Sequence, residues 1–555
     1  MFYTMAFLIK QSVRIQYFHK TRGVHNLTNI LINKNPYPQQ GQNVGVITTS
    51  LSTQLLDKNF IINQLPLNDF ESTVIDNRLE VVFIDSTLYE IDHEWYGIEF
   101  LEILKMMNKL DVNIIIINND DSYIFESENY FIINIDYKSK EIVFENNSVN
   151  LPILLDGEKY NPINKKTNLD VLYLKIGKLA RTEHIQLFHK QFKPRREELV
   201  YENLDSNLML ELFKKIKETK VLFIYYSESI SRNLLKYIEV AASLQNVTVI
   251  LEHTFEITSD SSSFNIINVQ DDESNMNYIR SFSKTGKFKE INNIKRHRTS
   301  YLSNTTEMYP KLYEILNGKY HKKEITVSVV TSTKRKNTLP DYIKRLNKQN
   351  YVTCEIVLLT HGFKLTEKES DELRKLSVHP IILLDESQTT SFGNCLNKCL
   401  DNVSYEYFAK VDDDDFYYGN YLIDNWIAQS YSKADLVGKH SQFVYLESNE
   451  LVIQRFSPQQ YRYSQYIAGA TIFGKVDFVK QFMFSDLPRA VDSDLLRRVL
   501  AKDGVLYCGH PYEFCIFRDD DKEAHTWQIS DTRLLKSAKI HFYGNPIDTL
   551  EISNN

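Results

Sequence analysis

The sequence predicts an α/β protein made of three successive sheet-containing units. Short β-branched runs alternate with amphipathic stretches along most of the chain, which is typical of βα units around a parallel sheet. The 555 residues exceed what one core usually holds. A polar segment, 318–323, interrupts the alternation. We therefore expect a lead-in segment over 1–42, Rossmann-like lobes over 43–150 and 151–318, and a last Rossmann-like domain over 324–555.

Composition narrows the class of protein. Hydrophobic residues make up 43% and charged residues 25% of the chain, as in ordinary globular proteins, and the net charge of -7 argues against a nucleic-acid partner. The five cysteines form no CxxC pair, so neither a zinc ribbon nor a disulfide framework is indicated. We expect a cytoplasmic protein, at most peripheral at the inner face of the cell membrane. The basic residues of the lead-in segment allow either contact with anionic lipid or a solvated arm.

Both amino-terminal lobes contain apolar runs with strand character and longer amphipathic runs with helical spacing. The predicted strands are 80–84, 112–117, 221–225, 247–251 and 264–269, and the predicted helices are 96–110, 208–219 and 229–244. In the last domain the predicted order is strand 325–331, helix 339–350, strand 355–359, strand 380–384 and helix 391–400. Parallel strands gather ligands beyond their carboxyl ends, so the residues that follow these strands are the first candidates for a site.

An acidic cluster, Asp412 to Asp415, follows a short apolar strand that ends at Val411. Four adjacent carboxylates repel one another unless water or a cation neutralises them. Oxygen ligands at a strand end suit Mg²⁺ or Mn²⁺. A solvated acidic turn before the next helix remains the alternative. The glycine and the distal glutamate of an EF-hand loop are absent.

The order of strand, helix, strand, helix and acidic cluster resembles the nucleotide-binding half of glycosyltransferase family 2, which has the GT-A fold with a mixed sheet. Asp412 and Asp414 match the spaced pair of the family's D-x-D-D motif, and Asp415 matches its trailing aspartate. The resemblance implies a nucleotide-sugar donor and a metal, Mn²⁺ or Mg²⁺. It assigns donor binding to Thr331, Thr333, Arg335, Asp412 and Asp413 and metal binding to Asp412, Asp414 and Asp415. Asp413 occupies the variable position, and we expect it to be incidental.

Two later segments extend the resemblance. Gly469 and Ala470 match the acceptor-side strand, where small residues let a sugar approach the backbone. Asp492 matches the general base of the family's ED-type motif, although Val491 replaces the usual Glu, and Asp494 follows on the acceptor side. An inverting transfer needs one carboxylate to take the proton of the acceptor hydroxyl. The alternative is that Asp492 and Asp494 only favour a helix amino terminus.

The last signal of the resemblance is Arg518 followed by His525, Thr526 and Trp527, which implies His525 as a further metal ligand. A packed structural histidine is the alternative. The second strand ends in Thr360, His361 and Gly362, where family members commonly carry an acidic residue that reads the base. The nucleotide therefore stays open, with a UDP-sugar as the default donor.

The amino-terminal lobes carry a weaker resemblance to CgeB-like spore maturation proteins, which are similar to GT-B glycosyltransferases. The matching residues are 80–86, Trp95, 114–121, Arg298, Tyr301, Tyr309 and Leu312. We find no glycine-rich phosphate loop there, so we expect a degenerate lobe that docks or binds an acceptor.

The predicted function is therefore inverting, metal-dependent transfer of a sugar to a hydroxyl group. The acceptor would be a cell-surface polysaccharide, a teichoic-acid-like or spore-coat glycan, or a lipid-linked precursor. A nucleotidyltransferase and an inactive sugar-nucleotide-binding scaffold are the alternatives. The nucleotidyltransferase is disfavoured because the first strand of the last domain lacks a glycine-rich loop that leads to a basic residue.

Overall fold

A computed structural model describes residues 39–86, 93–119, 130–145, 147–165, 167–176, 196–201, 206–226, 232–253, 265–268, 286–319, 321–518 and 531–552. The lead-in segment lies almost entirely outside this set, and so does His525. Across the described ranges, no helix has both the length and the apolar character needed to cross a bilayer. The cysteines at 354, 395, 399, 508 and 515 are buried and form no disulfide.

The first lobe contains a sheet that is parallel apart from one edge pair. Its strands, as far as the described residues show, run in the order β2-β1-β3-β4-β5-β7-β6, with β6 antiparallel to β7. They are β1 Asn43–Ile47, β2 Ile61–Gln64, β3 Val81–Asp85, β4 Asn113–Asn118, β5 Phe131–Asp136, β6 Val143–Glu145 and β7 Ser148–Pro152. Its helices are Ser50–Leu56, Phe70–Asp76 and Phe100–Met107. This order reverses direction between β1 and β3, which is a topological switch point.

The second lobe contains a parallel sheet. Within the described part, the strands run β12-β11-β10-β8-β9. They are β8 Leu169–Ile176, β9 Arg196–Tyr201, β10 Thr219–Tyr226, β11 Thr248–His253 and β12 Asn265–Asn268. Read from β9 to β12, its strands follow the same order as β2-β1-β3-β4-β5 of the first lobe. Its helices are Ser206–Ile216 and Arg232–Leu244. Helix Lys287–Asn304, the short turn Thr306–Met308 and helix Leu312–Leu316 lead from this lobe to the last domain.

The last domain contains two sheets. The larger runs β15-β14-β13-β16-β22-β18-β23-β21 and the smaller runs β17-β24-β19-β20-β25, in the residues that are described. The strands are β13 Thr326–Thr333, β14 Thr353–His361, β15 Ile381–Glu386, β16 Tyr407–Lys410, β17 Phe416–Tyr417, β18 Leu436–Gly438, β19 Gln442–Leu446, β20 Leu451–Arg455, β21 Arg462–Ser464, β22 Phe473–Lys475, β23 Leu506–Cys508, β24 Phe514–Arg518 and β25 Ala538–Tyr543. The first four are parallel and β22 is antiparallel to β16, so the sheet is mixed.

Helices cover this larger sheet and bury their apolar sides against it. They are Leu339–Leu346, Glu367–Leu376, Phe392–Asp401, Tyr421–Ser432, Val476–Lys480 and Val491–Leu500. Helix Asp531–Ser537 packs on the smaller sheet, where Leu534 is buried against β19 and β20, and the short turns Glu447–Asn449 and Gly469–Thr471 complete the domain. The order β15-β14-β13-β16 places the switch point between β13 and β16. The molecule is therefore an α/β protein, as predicted.

A buried charged cluster joins helix Lys287–Asn304 to the last domain. The Arg298 guanidinium donates to both oxygens of Asp424 at 2.7 Å and to Glu513 at 3.1 Å. All three side chains are almost fully buried. A buried charge is costly unless it is paired and hydrogen-bonded, and here each charge has a partner. Arg298, which the weaker resemblance placed at the end of an amino-terminal domain, thus packs against the carboxyl-terminal one.

The four sheets lie within 43–152, 169–268 and 326–543, and the last of these ranges contains two of them. The exact domain boundaries stay predictions. Strand β7 ends at Pro152, two residues beyond the predicted division at residue 150.

Candidate functional site

The switch point between β13 and β16 gathers the predicted site residues. Thr333 ends β13, the acidic cluster follows β16, and the turn Gly469–Thr471 precedes β22, which pairs with β16. Helix Val491–Leu500 brings Asp492 to the same edge. Four chain segments separated by up to 160 positions therefore meet at one sheet edge, as the parallel topology requires.

Asp413 is the most completely bonded member of the acidic cluster. Its carboxylate accepts from the Thr333 hydroxyl at 2.9 Å, from Arg335 Nε and Nη2 at 2.8 Å each, and from the Thr338 hydroxyl at 3.1 Å. Arg345 also donates to its backbone carbonyl at 2.8 Å. Its side chain is only 3% exposed. Asp413 therefore fixes the loop after β13 to the end of β16, and its role toward the donor stays a prediction.

Lys410 lies between two carboxylates. Its ammonium donates to Asp412 Oδ1 at 2.7 Å and lies 3.5 Å from Asp492 Oδ2, and its side chain is 2% exposed. Although burial acts to lower it, Asp412 and Asp492 hold the pKa of Lys410 above its usual value. The lysine thus stays charged and ties the acidic cluster to helix Val491–Leu500.

The surroundings of Asp415 disfavour its charged form, although Lys410 and the Phe517 backbone N–H act in the other direction. Burial raises the pKa of Asp415 well above its usual range, and the charges of Asp414 and Asp412 act in the same direction. Burial also raises the pKa of Asp412, assisted by Asp492 and Asp414 and opposed by Lys410. The edge therefore holds an excess of negative charge that a cation would relieve.

Asp492 sits directly against the turn Gly469–Thr471. A Cβ atom added to Gly469 would collide with the Asp492 carboxylate, so only glycine allows this approach. Oδ1 of Asp492 is buried and has no hydrogen-bond partner among the described residues. A buried acceptor without a partner is unusual in a folded protein, and it points to a group that the site receives.

Asp494, predicted on the acceptor side, has different surroundings. It accepts from Ser485 at 2.5 Å, from Arg497 at 2.5 Å and from Arg498 at 2.8 Å. Ser485, Arg498 and Arg497 together hold the pKa of Asp494 well below its usual value. These contacts fix the start of helix Val491–Leu500 to the preceding loop, so Asp494 supports the helix that carries Asp492.

Two other predicted residues, Thr331 and Ala470, form hydrogen bonds next to the acidic cluster. The Thr331 hydroxyl donates to Val411 O at 2.8 Å, contacts the Tyr342 hydroxyl, and is buried. The Ala470 carbonyl accepts from Tyr417 at 2.7 Å, and that same phenol oxygen accepts from the Asp412 backbone N–H at 2.9 Å. Tyr417 therefore couples the acidic cluster to the acceptor-side turn.

The fit to a divalent cation is partial. Asp412 Oδ1 is bonded to Lys410, and Asp414 lies 3.0 Å from Arg335, so the carboxylates of Asp412, Asp414 and Asp415 do not converge on one point. Mg²⁺ and Mn²⁺ at such sites commonly take one or two carboxylates, with substrate phosphates and water as the other ligands. Asp414, which is partly exposed, and Asp415, whose charged form burial disfavours, fit a site that takes one or two carboxylate ligands from the protein. All of these candidate ligand atoms are oxygens.

Elsewhere in the described residues, Asp156, Glu158 and Glu307 bring their carboxylate oxygens within 4.8 Å of one another. The Lys58 ammonium lies 2.8 Å from Asp156 and 3.5 Å from Glu307. Lys433 lies 3.0 Å from Glu158. This group is already neutralised by lysines and joins the first lobe to helix Tyr421–Ser432, so we assign it a structural role.

Sequence reasoning missed Lys410 and Tyr417 as contributors to the site. Both flank the acidic cluster, and a lysine inside an otherwise apolar strand was the available signal. Arg518 is buried and pairs with Asp531 at 3.6 Å, whereas His525 lies outside the described residues. The ligand and catalytic roles of the named residues stay predictions.

No protein-family model and no curated protein matches this sequence. Solved structures with partial similarity include the mannosyltransferase PcManGT from Pyrobaculum calidifontis in complex with GDP-Man and Mn²⁺, at 12% identity and a TM-score of 0.29, covering 36% of this chain and 59% of that one. TarS 1-349 from S. aureus in complex with UDP-GlcNAc is 13% identical, with a TM-score of 0.30 and coverage of 39% and 64%. This chain thus spans about three fifths of each neighbour. Because these scores are low, the function is inferred from the site itself.

Proposed function

We propose that the last domain transfers a sugar from a nucleotide-sugar donor to an acceptor hydroxyl, with inversion and with the help of a divalent cation. The observation that carries the proposal is the position of Lys410 between Asp412 and Asp492, at distances of 2.7 and 3.5 Å. A donor-type acidic cluster and a carboxylate with an unpartnered oxygen thereby share one sheet edge. The match of Asp412, Asp414 and Asp415 to the D-x-D-D pattern supports the same assignment.

In this proposal the residues have separate tasks. Asp413 and Arg335 hold the loop after β13 so that the donor meets a fixed surface. Asp492 accepts the proton of the acceptor hydroxyl, and that hydroxyl attacks the sugar carbon from the side opposite the leaving diphosphate. Lys410 holds Asp492 in place through its positive charge, with its ammonium 3.5 Å from Asp492 Oδ2.

Asp414 and Asp415 would hold the cation, with Asp412 at the donor ribose. When bound, Mn²⁺ or Mg²⁺ supplies positive charge for the departing diphosphate. Burial, Asp414 and Asp412 disfavour the charged form of Asp415, and a bound cation would favour it, whereas Lys410 and Arg335 are already hydrogen-bonded to Asp412 and Asp413. His525 is proposed as a further ligand on the resemblance alone.

The donor is proposed as a UDP-sugar by default, and the acceptor as a cell-surface, teichoic-acid-like or spore-coat glycan or its lipid-linked precursor. A cytoplasmic location, with peripheral contact at the inner face of the membrane, suits such an acceptor. The amino-terminal lobes are proposed to dock or bind the acceptor.

The direct test is turnover of a panel of nucleotide sugars by the purified full chain with Mn²⁺, with release of the nucleoside diphosphate as the measurement. Asp414→Ala should lower turnover roughly a hundredfold or more, because a cation contributes several kcal/mol to the transition state. Asp486→Ala, at an exposed aspartate in the loop before helix Val491–Leu500, is the matched control and should behave as wild type.

Three outcomes contradict the proposal. Equal turnover by wild type and Asp414→Ala would remove the cation from the assignment. Release of pyrophosphate from a nucleoside triphosphate would indicate a nucleotidyltransferase. Binding of nucleotide sugars in a calorimeter without turnover of any of them would indicate a scaffold.

A further inference from the structure

An exposed aromatic patch lies beside the candidate site. It consists of His440, Phe456 and Tyr466, whose ring centroids are 5.2 Å apart for the two pairs that include His440 and 6.4 Å apart for Phe456 and Tyr466. Phe456 is 36% and Tyr466 40% exposed. Scattered exposed apolar residues need no explanation, but rings that touch one another in water indicate a contact surface.

The patch is held in place at an energetic cost. Phe456 has φ +52°, a left-handed conformation that bulky side chains rarely adopt. The Arg455 guanidinium lies 4.5 Å from the centre of the Phe456 ring and supports it from one side. His440 Nδ1 and the Ser464 hydroxyl are hydrogen-bonded at 2.8 Å, which fixes the imidazole. A half-exposed ring gains little stability from burial that would offset the strained backbone. Strained backbone conformations of this kind cluster at binding sites.

The patch adjoins the proposed base. Tyr466 precedes Gly469 by three residues, and Gly469 packs against the Asp492 carboxylate. The backbone N–H of Ala468 donates to Lys439 O at 2.9 Å, which anchors the segment between them. Burial raises the pKa of Tyr466, with Arg455 opposing this shift and the charge of Asp492 adding to it. The close approach of Gly469 to Asp492 therefore puts the segment that carries Tyr466 next to the proposed base.

We propose that this aromatic patch binds the acceptor, and that the acceptor group is a pyranose ring that stacks on one of the Phe456 and Tyr466 rings and contacts the other, whose plane is turned by 64°. A pyranose has faces formed by C–H groups with partial positive charge, and an aromatic face is negative, so the two attract when stacked. The hydroxyls project from the rim of the sugar ring. A ring stacked on the patch can therefore direct one hydroxyl sideways toward Asp492. This inference rests on the proposed function and adds the class of acceptor to it.

Saturation-transfer difference NMR on the full chain tests the patch without any donor. The probes are methyl β-glucoside, methyl β-galactoside and methyl α-mannoside. With wild type, we expect saturation of the C–H protons on one ring face of at least one probe. Phe456→Ala and Tyr466→Ala should each raise the Kd of that probe roughly tenfold, as for loss of one stacking partner. Phe456→Tyr, which keeps an aromatic face, should restore binding.

Tyr543→Ala is the matched control, because Tyr543 is a 74% exposed tyrosine outside the patch, and it should bind as wild type does. Thermal unfolding of each variant checks that it is folded. No saturation of any probe by wild type overturns the inference, and so does binding by the two alanine variants equal to that of wild type. Because no donor is present, failure here is independent of the turnover test with Asp414→Ala.

Discussion

The first lobe and the last domain both place polar side chains at a topological switch point, yet the two edges differ. At the β1/β3 edge, the Thr49 backbone N–H, at the start of helix Ser50–Leu56, donates to Asp85 at 2.6 Å. A helix amino terminus is where a bound phosphate would sit, and here the chain's own carboxylate takes that place. At the β13/β16 edge, Asp492 Oδ1 has no partner among the described residues, and burial and the neighbouring carboxylates disfavour the charged form of Asp415.

Most polar groups along the rest of the first edge are also hydrogen-bonded, apart from the buried Asn119 Oδ1. Side chains of adjacent parallel strands form a relay, Ser86 to Asn118 to Asn134 to Asn150, with distances of 3.0, 3.1 and 2.9 Å. Asn233 of the second lobe then closes the edge. It donates to the carbonyls of residues 119 and 135 at 2.8 Å each and accepts from the backbone N–H of Tyr137 at 2.9 Å. The same kind of topology thus yields a largely closed seam in one place and a receptive edge in another. The difference lies in the carboxylates, since Asp85 accepts a backbone N–H whereas Asp492 Oδ1 has no partner among the described residues.

The largest expected effect is at the receptive edge. Asp492→Asn should lower kcat for sugar transfer about 10²- to 10⁴-fold, the usual contribution of a general base. Nucleotide-sugar affinity, measured by calorimetry, should change little because the donor contacts the acidic cluster. Asp477→Asn, at an exposed aspartate in the first turn of a nearby helix, is the control. A kcat within about threefold of wild type would mean that Asp492 is only a helix-start residue.

A smaller effect is expected at the largely closed seam. Asn233→Ala leaves the carbonyls of residues 119 and 135 and the N–H of Tyr137 without their side-chain partner. It should therefore lower the free energy of unfolding by about 1–3 kcal/mol. Urea denaturation measures the change, and sugar transfer should remain that of wild type. Asn207→Ala is matched, since exposed Asn207 also crosses the seam, accepting from Ser50 at 2.6 Å. Its cost should stay near 0.5 kcal/mol or less, as for exposed substitutions. Reduced transfer by Asn233→Ala would show that the first lobe takes part in chemistry.

Local patterns predicted the positions of the main strands because buried parallel strands are continuous apolar runs. The predicted strand 112–117 is observed at Asn113–Asn118, and 380–384 at Ile381–Glu386. The predicted helix 96–110 is shorter, Phe100–Met107. Trp95 is fully buried and its indole N–H donates to Leu65 O at 2.7 Å, so the segment before Phe100 is held by tertiary contacts. Those contacts are invisible to helical periodicity.

The candidate site, like the fold, could be predicted from the sequence only in part. A carboxylate cluster after a strand could be recognised from order along the chain. The role of Asp413 could not, because its partners Thr333, Arg335 and Thr338 precede it by 75 to 80 residues. Nor could the side-by-side position of Lys410 and Asp492, which depends on where helix Val491–Leu500 docks. Pairings of this kind depend on how distant segments pack in the fold, so local sequence patterns do not predict them.

The last expected effect concerns Asp415, where an ionised carboxylate at the receptive edge should cost stability. A carboxyl group whose folded pKa is raised loses stability as the pH rises above its unfolded pKa of about 4, because the native state retains its proton longer. The Phe517 N–H favours the charged form but does not outweigh burial and the neighbouring carboxylates. Asp415→Asn removes the charge with little change in shape. In metal-free buffer with EDTA at pH 7, the variant should therefore resist urea better than wild type.

The gain should be about 1.4 kcal/mol for each unit by which the pKa is raised. It should shrink as the pH falls toward 4, because wild type then becomes protonated in both states. Asp486→Asn, at an exposed position, should show no such gain. Added Mn²⁺ should raise the unfolding midpoint of wild type more than that of Asp415→Asn, since only wild type offers this carboxylate as a ligand. A variant less stable than wild type at pH 7 would mean that the charge of Asp415 is balanced within the fold, and the contrast between the two edges would then rest on Asp492 alone.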